Sequence, residues 1–146
     1  METVKKIMWV DDDINRSILR PYLDELTERG YAIIRVQSVD EIKSTINSSM
    51  PISLMILDVS MPPGESLDFK ESRGGIQTGY LLLKELVANK ILEDVIKIVF
   101  TIVDNNNLID FCAKNKIPIY DKEEYLSVKF ADEIDSILQK SDKENG

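Results

Sequence analysis

The chain has 146 residues with a formal net charge of -8, from 18 basic and 26 acidic residues. This length is sufficient for one domain with its own core, and the acidic balance argues against direct binding to nucleic acids or anionic membranes. No apolar segment is long enough to span a bilayer. The single cysteine, Cys112, and a start without a signal-peptide pattern favour a cytoplasmic location. Histidine is absent, which removes the commonest general base but leaves carboxylates as ligands for a hard cation.

The first half of the chain alternates between strand-like and helix-like patterns. Residues 4–10 predict a strand, and apolar residues then recur at helical spacing from 14 to 26, before Gly30. Asp13 is expected to be an exposed charge at the start of this helix. Pro21 implies either a kink in this helix or a start later than the pattern indicates. A second strand is predicted at 31–36, and the capping-box spacing of Ser38 and Glu41 predicts a short helix after it.

The second half continues the alternation. Strands are predicted at 52–57, 95–100 and 117–120, and helices at 80–87, 104–112 and 130–138. Residues 62–78 are predicted to form a long polar loop, and the polar tail 141–146 is expected to fray. Residues 1–146 are therefore predicted to form a single domain. Five strands alternating with five helices predict a doubly wound α/β sandwich with a five-stranded parallel sheet.

Polar residues follow four of these strands. Asp11 and Asp12 follow the first strand, Asp58 the third, Thr101 the fourth and Lys122 the fifth. The carboxyl ends of parallel strands meet at one edge of a sheet, so these side chains are expected to surround one cleft. Clustered carboxylates repel one another unless a cation neutralises them. Magnesium is suited to one or two carboxylates with water and phosphate, and would leave one carboxylate free as a nucleophile.

With these motifs the sequence resembles the response-regulator receiver domains of two-component signalling. The matching segments are Val10-Asp11-Asp12, Leu57-Asp58-Val59-Ser60-Met61-Pro62, Thr101 and Lys122, in order at four strand ends. The resemblance extends roughly from Val4 to Lys140. It implies a flavodoxin-like (βα)5 sandwich and a stand-alone phosphoaccepting switch in a phosphorelay.

The resemblance also implies a role for each residue. Asp58 is the expected phosphoacceptor, and Thr101 and Lys122 are expected to contact the phosphoryl group. The expected Mg2+ ligands all offer oxygen: Asp11, Asp12, Asp58 and the backbone carbonyl of Ser60. A histidine kinase or phosphotransfer protein would supply the phosphoryl group, and a downstream protein would read the surface around the fourth helix and fifth strand. Such a switch assists its own phosphorylation and dephosphorylation and is not a turnover enzyme.

The sequence departs from the family's pattern at several positions. Glu123 follows Lys122 where proline is usual, and a cis bond before a non-proline residue costs about 2.5–4 kcal/mol, so Lys122 is expected to approach the site differently. Ile119 occupies the position of the family's aromatic switch, and the adjacent Tyr120 is expected to point to the other face of the sheet. Val103 cannot orient an attacking water, which predicts slow self-dephosphorylation that Val103→Glu would accelerate. The loop 62–78 is longer than usual and would cover the site or contact a partner.

Two other functions are compatible with the sequence. One is a receiver-like interaction module that works without phosphorylation. The other is a magnesium-dependent phosphohydrolase with an aspartate nucleophile. That chemistry usually places a second acid two residues after the nucleophile, where this sequence has Ser60, so the hydrolase is the weaker alternative.

Overall fold

A computed structural model of the chain describes residues 4–38, 41, 42, 44, 45, 51–58, 78–88, 93–102 and 106–145. Its strands are β1 (Lys6–Val10), β2 (Ala32–Val36), β3 (Leu54–Leu57), β4 (Ile96–Thr101) and β5 (Ile119–Asp121). Its longer helices are α1 (Arg20–Glu28), α2 (Thr78–Ala88), α3 (Asn106–Lys114) and α4 (Ser127–Asn145). The short helix predicted near Glu41 is represented by four helical residues, Glu41, Ile42, Ser44 and Thr45.

The five strands form one parallel sheet in the order β2-β1-β3-β4-β5. Strands β1 and β3 are neighbours, and Val10 at the end of β1 lies opposite Leu57 at the end of β3. Every residue of β3 is buried, which is expected of a strand covered on both faces. The predicted doubly wound, flavodoxin-like architecture is therefore confirmed.

The strand side chains alternate between two apolar layers. On one face, Trp9 of β1 and Phe100 of β4 pack with residues of α1 and α4. On the other face, Met8 of β1 and Val99 of β4 pack with residues of α2 and α3, including the buried Cys112. Because alternate residues of a strand point to opposite faces, a fully apolar strand supplies both layers. The helices thus cover both faces of the sheet.

An aromatic cluster forms the centre of the layer beneath α1 and α4. The rings of Phe100 and Phe130 stack with centroids 4.0 Å apart, and Trp9 meets Phe100 edge-on at 5.9 Å. Tyr22 of α1 lies 5.3 Å from Phe100 in a similar edge-on arrangement. Trp9 is fully buried and is a core residue, as its position in the first predicted strand indicated. These contacts join β1, β4, α1 and α4 into one packed unit.

Helix α1 begins later than the apolar pattern indicated. It starts at Arg20, with Pro21 in its first turn, where a missing backbone donor costs nothing because that N–H has no intrahelical acceptor. The helix is followed by Gly30 in the left-handed region, at φ 96°, as predicted for its C-terminal stop. Of the two possibilities that Pro21 left open, the later start is the observed one.

Helix α4 continues to Asn145, into the tail that was expected to fray. Lys5, just before β1, forms an ion pair with Asp142 of this helix. Earlier in α4, Asp132 and Asp135 accept hydrogen bonds from Arg29. These ion pairs hold α4 against the N-terminal part of the chain. None of the helices in the described part of the chain is long and apolar enough to cross a membrane.

Truncation of Phe130 tests the aromatic cluster. Phe130 is fully buried and contacts Phe100, Trp9 and Tyr22, so we expect Phe130→Ala to lower the free energy of unfolding by about 3–5 kcal/mol. Val128→Ala is the matched control in the same helix, because Val128 is 54% exposed. Urea unfolding followed by circular dichroism measures both variants. Equal stability of the two would contradict the central role of this cluster.

Candidate functional site

Three of the predicted site residues are fixed by hydrogen bonds that continue the sheet beyond its strands. The backbone N–H of Asp11 donates to the carbonyl of Val36 at 3.0 Å, and that of Asp58 donates to the carbonyl of Val10 at 3.0 Å. The backbone N–H of Lys122 donates to the carbonyl of Thr101 at 3.1 Å. The pairing order of the strands therefore brings Asp11, Asp58 and Lys122 to one edge of the sheet, as the sequence predicted.

The side chain of Lys122 joins the two buried carboxylates. Its Nζ lies 2.8 Å from Oδ2 of Asp11 and 3.2 Å from Oδ2 of Asp58. The Asp11 side chain is fully buried, and that of Asp58 nearly so. One ammonium thus pairs with two carboxylates in a place that water reaches poorly, and the pair of bonds fixes the distance between strand ends that are 47 residues apart in sequence.

The close packing of these charged groups shifts the pKa values of Asp11 and Lys122. Burial raises the pKa of Asp11 above its ordinary value, the Asp58 charge raises it further, and Lys122 acts in the opposite direction. Burial acts to lower the pKa of Lys122, but the charges of Asp58 and Asp11 and their hydrogen bonds outweigh it and raise that pKa. The lysine is therefore held as an ammonium, and the site carries an excess of negative charge.

Asp12 and Asp13 extend the acidic cluster. One carboxylate oxygen from each of Asp11, Asp12 and Asp13 lies within 4.8 Å of the others. Burial raises the pKa of Asp12, and the neighbouring charges of Asp13 and Asp11 raise it further. The donor atoms are hard oxygens, so the cluster matches the ligands that Mg2+ prefers.

Asp13 has a larger part in this cluster than the sequence indicated. The pattern assigned it an exposed charge at a helix start, whereas its backbone N–H donates to Oδ1 of Asp11 at 2.8 Å and its carboxylate pairs with Arg16 at 3.0 Å. No helix begins there, because α1 starts at Arg20. The N–H of a residue two positions after an aspartate is a common partner of that carboxylate, and this spacing is the signal that could have revealed the contact.

Thr101 is the last residue of β4 and is buried, at the strand end where it was predicted. Ser60, whose carbonyl was a predicted Mg2+ ligand, lies outside the described residues. The same is true of Val103 and of all but Thr78 in the predicted loop 62–78. The roles of these residues stay predictions.

The structure agrees with the expected direction of the Tyr120 side chain. Tyr120 packs edge-on against Phe130, with centroids 5.8 Å apart, in the layer beneath α1 and α4. Ile119 packs against the opposite layer. The aromatic ring next to the family's switch position is therefore on the other side of the sheet.

A largely apolar cavity of about 290 Å3 opens beside Lys122. Ile18 and Ile102 both line it, and they are 72% and 63% exposed. Tyr22 and Lys122 line it as well. An exposed apolar rim thus adjoins the charged site.

Comparison with solved structures identifies the same fold in response-regulator receiver domains. A CheY-like receiver domain protein from Methanospirillum hungatei matches with a TM-score of 0.73 and 21% identity, covering 97% of this chain and 99% of its own. The signal receiver domain of an HD domain-containing protein from Pseudomonas fluorescens matches with a TM-score of 0.70 and 14% identity, over 97% and 99% of the two chains. A response regulator from Thermotoga maritima matches with a TM-score of 0.68 and 15% identity, over 94% and 99%.

These matches show that the chain has the fold of CheY-like receiver domains, as the sequence motifs predicted. No protein-family model matches the chain, and no curated protein does so. At 14–21% identity, the likeness concerns the fold. The chemistry has to be argued from the residues of this chain.

The raised pKa of Asp11 predicts how stability depends on pH in the presence of a chelator. Since the folded protein binds this proton more tightly than the unfolded chain, ionised Asp11 lowers stability above its raised pKa, and this cost disappears as the pH falls below the ordinary value of 3.8. Asp11→Asn removes the charge but keeps an oxygen to accept the Asp13 N–H. We expect this variant to be more stable than the wild type at pH 7, with a difference that narrows toward pH 4.

Urea unfolding from pH 4 to pH 8 measures this difference. Asp110→Asn, at an exposed position of α3, is the control and is expected to differ little from the wild type at any pH. If the difference in free energy of unfolding between Asp11→Asn and the wild type stays constant with pH, burial of the Asp11 charge is not its origin.

Proposed function

We propose that this protein is a phosphoaccepting receiver of a two-component phosphorelay, in which Asp58 takes up a phosphoryl group and partner proteins read the result. The observation that supports this most directly is the placement of Lys122 between Asp11 and Asp58, with Nζ 2.8 Å and 3.2 Å from their Oδ2 atoms. A buried nucleophile, a second carboxylate and an ammonium at one sheet edge are the parts that phosphoryl transfer to an aspartate requires.

Asp58 is the proposed nucleophile. One of its carboxylate oxygens would form a bond to phosphorus while the bond from phosphorus to the donor breaks, and the leaving group would keep that electron pair. Ion pairing with Lys122 and the hydrogen bond of its backbone N–H to Val10 hold this carboxylate in place. Since Asp58 is almost completely buried, the aspartyl phosphate would be sheltered from bulk water except on the side where the donor enters.

Asp11, Asp12 and Asp58 are the proposed protein ligands of Mg2+, together with the backbone carbonyl of Ser60. The close approach of Asp11 and Asp12 to each other and to Asp13 and the raised pKa values of Asp11 and Asp12 fit a site that gains from a cation. When bound, Mg2+ neutralises negative charge on the carboxylates and on the incoming phosphoryl group. The chain's own contribution is to hold the carboxylates in position for it.

Lys122 and Thr101 are the proposed partners of the transferred group. An ammonium that already contacts Oδ2 of Asp58 is positioned to pair with a phosphoryl oxygen formed on that residue, as a point charge. The Thr101 hydroxyl would donate a hydrogen bond to another phosphoryl oxygen. New charge-assisted bonds of this kind can favour one of two arrangements of the adjacent surface, which is how a local modification becomes a signal.

The proposed partners are proteins. A histidine kinase or phosphotransfer protein would donate the phosphoryl group, and the exposed Ile18 and Ile102 beside Lys122 offer an apolar surface for its docking. A separate downstream protein would read the phosphorylated form. The net charge of -8 does not favour nucleic acid as a direct partner. We place this activity in the cytoplasm, and regard the chain as a substrate that assists its own modification and not as a turnover enzyme.

Asp58→Asn tests the chemistry. After incubation with Mg2+ and a small phosphodonor such as acetyl phosphate, we expect the wild type to gain one phosphoryl group in intact mass spectra. Asp58→Asn should gain none, because an amide oxygen is a poor nucleophile. Addition of a chelator should abolish or greatly slow the reaction of the wild type.

Asp110→Asn, at an exposed position of α3, serves as the matched control and should still accept a phosphoryl group. Equal labelling of wild type and Asp58→Asn would reject Asp58 as the acceptor. Signalling in cells that is unaffected by Asp58→Asn would instead support the alternative of a phosphorylation-independent interaction module.

A further inference from the structure

The position of the Lys122 ammonium depends on how the backbone around it is held. The side chain has a flexible four-carbon stem, yet its Nζ reaches two separate carboxylates. Lys122 also follows the last residue of β5, Asp121, so it is not held within the strand itself. The local turn must therefore fix the direction in which the stem leaves the backbone.

Hydrogen bonds fix the peptide groups on both sides of the Lys122 Cα atom. On one side, the N–H of Lys122 donates to the carbonyl of Thr101 at 3.1 Å. On the other side, the N–H of Glu123 donates to Oδ1 of Asp121 at 2.7 Å. The first bond comes from the sheet, whereas the second depends entirely on one side chain.

Asp121 also organises the residues that follow. Its backbone carbonyl accepts hydrogen bonds from the N–H groups of Glu124 and Tyr125, both at 3.1 Å. Asp121 thus accepts from three consecutive amides after Lys122, one through its side chain and two through its carbonyl. This is the pattern of an Asx turn continued by a tight backbone turn.

The far end of this turn is attached to the core. The hydroxyl of Tyr22 in α1 donates to the carbonyl of Tyr125 at 2.8 Å, and the Tyr125 ring meets Tyr120 edge-on with centroids 4.9 Å apart. The turn is therefore anchored at both ends. Between these anchors, the Asp121 carboxylate is the side chain that holds the peptide group next to Lys122.

We propose that Asp121 is a positioning residue, whose side-chain oxygen, by holding the N–H of Glu123, directs the Lys122 ammonium to Asp11 and Asp58. At this place in the sequence Glu123 has a backbone N–H, which proline would lack, and the Asp121 carboxylate accepts a hydrogen bond from that N–H and so restrains the turn. The inference deepens the proposed function, because Lys122 is a proposed contact of the phosphoryl group. The arrangement of Lys122 in the unmodified protein can be tested independently of that function.

Three substitutions separate the geometry of Asp121 from its charge. Asp121→Asn keeps an acceptor oxygen at the same distance from the backbone and removes the charge. Asp121→Glu keeps the charge and moves the oxygens one methylene farther away, and Asp121→Ala removes both. If positioning is the role, the asparagine variant should resemble the wild type, and the glutamate variant should resemble the alanine variant. A purely electrostatic role predicts the opposite order.

The first measurement is the acetylation rate of Lys122 with acetic anhydride, followed by peptide mass spectrometry. An ammonium held by two carboxylates reacts slowly because only the free amine is nucleophilic. Loss of one hydrogen bond changes an equilibrium by about three- to tenfold, so we expect Lys122 to react three to ten times faster in Asp121→Glu and Asp121→Ala. The rate in Asp121→Asn should be unchanged. Exposed Lys114 of α3 should react equally in all four proteins.

The second measurement is the rate of phosphorylation by acetyl phosphate with Mg2+, which should fall by about the same factor in the glutamate and alanine variants. Labelling of the wild type together with unchanged Lys122 acetylation in Asp121→Glu would overturn the positioning role and leave the proposed function intact. If the acetylation rates follow the predicted pattern but the wild type is not phosphorylated, the positioning role of Asp121 is supported and the proposed phosphoaccepting function is rejected. If Asp121→Ala does not fold, the asparagine and glutamate variants still decide.

Discussion

The site depends on one ion-paired contact, the Lys122 ammonium held between the carboxylates of Asp11 and Asp58. Two buried carboxylates so close together would repel each other and lose their hydration, so this arrangement persists only with a cation between them. The contact in turn requires the sheet order that places β1 beside β3, with β4 and β5 beyond. A one-residue slip of register would turn the side chain of Asp11 or Asp58 toward the other face of the sheet.

Most of the fold could be predicted because its strands are buried on both faces. Runs such as 52–57 are apolar without alternation, which is the pattern of a covered parallel sheet. The ends of the elements were predicted less well, because they depend on tertiary contacts. In the polar tail, for example, the ion pair of Lys5 with Asp142 joins residues 137 positions apart that no local pattern relates.

The positions of the site residues could be predicted, but their partners could not. Parallel strands that end at one edge are sufficient to bring Asp58 and Lys122 together, whatever their rotamers. Which oxygen a side chain contacts depends on turns that are shaped by one or two hydrogen bonds. Asp13 and Asp121 were missed for this reason. Each takes part in a bond between an aspartate carboxylate and the N–H two residues later, a spacing that occurs in many aspartates without functional meaning.

In the proposed function, Lys122 and Mg2+ would compete for the carboxylates of Asp11 and Asp58. Lys122 contacts Asp11 more closely than Asp58, so a cation bound by Asp11 would weaken the stronger of its two bonds. The released ammonium could then turn toward a phosphoryl oxygen on Asp58. Because linkage is reciprocal, each contact that keeps Lys122 on Asp11 also lowers the affinity of the site for Mg2+. The turn held by Asp121 therefore affects both Mg2+ binding and the phosphorylation of Asp58. It determines how far Lys122 can move away from Asp11 while Lys122 remains within reach of Asp58.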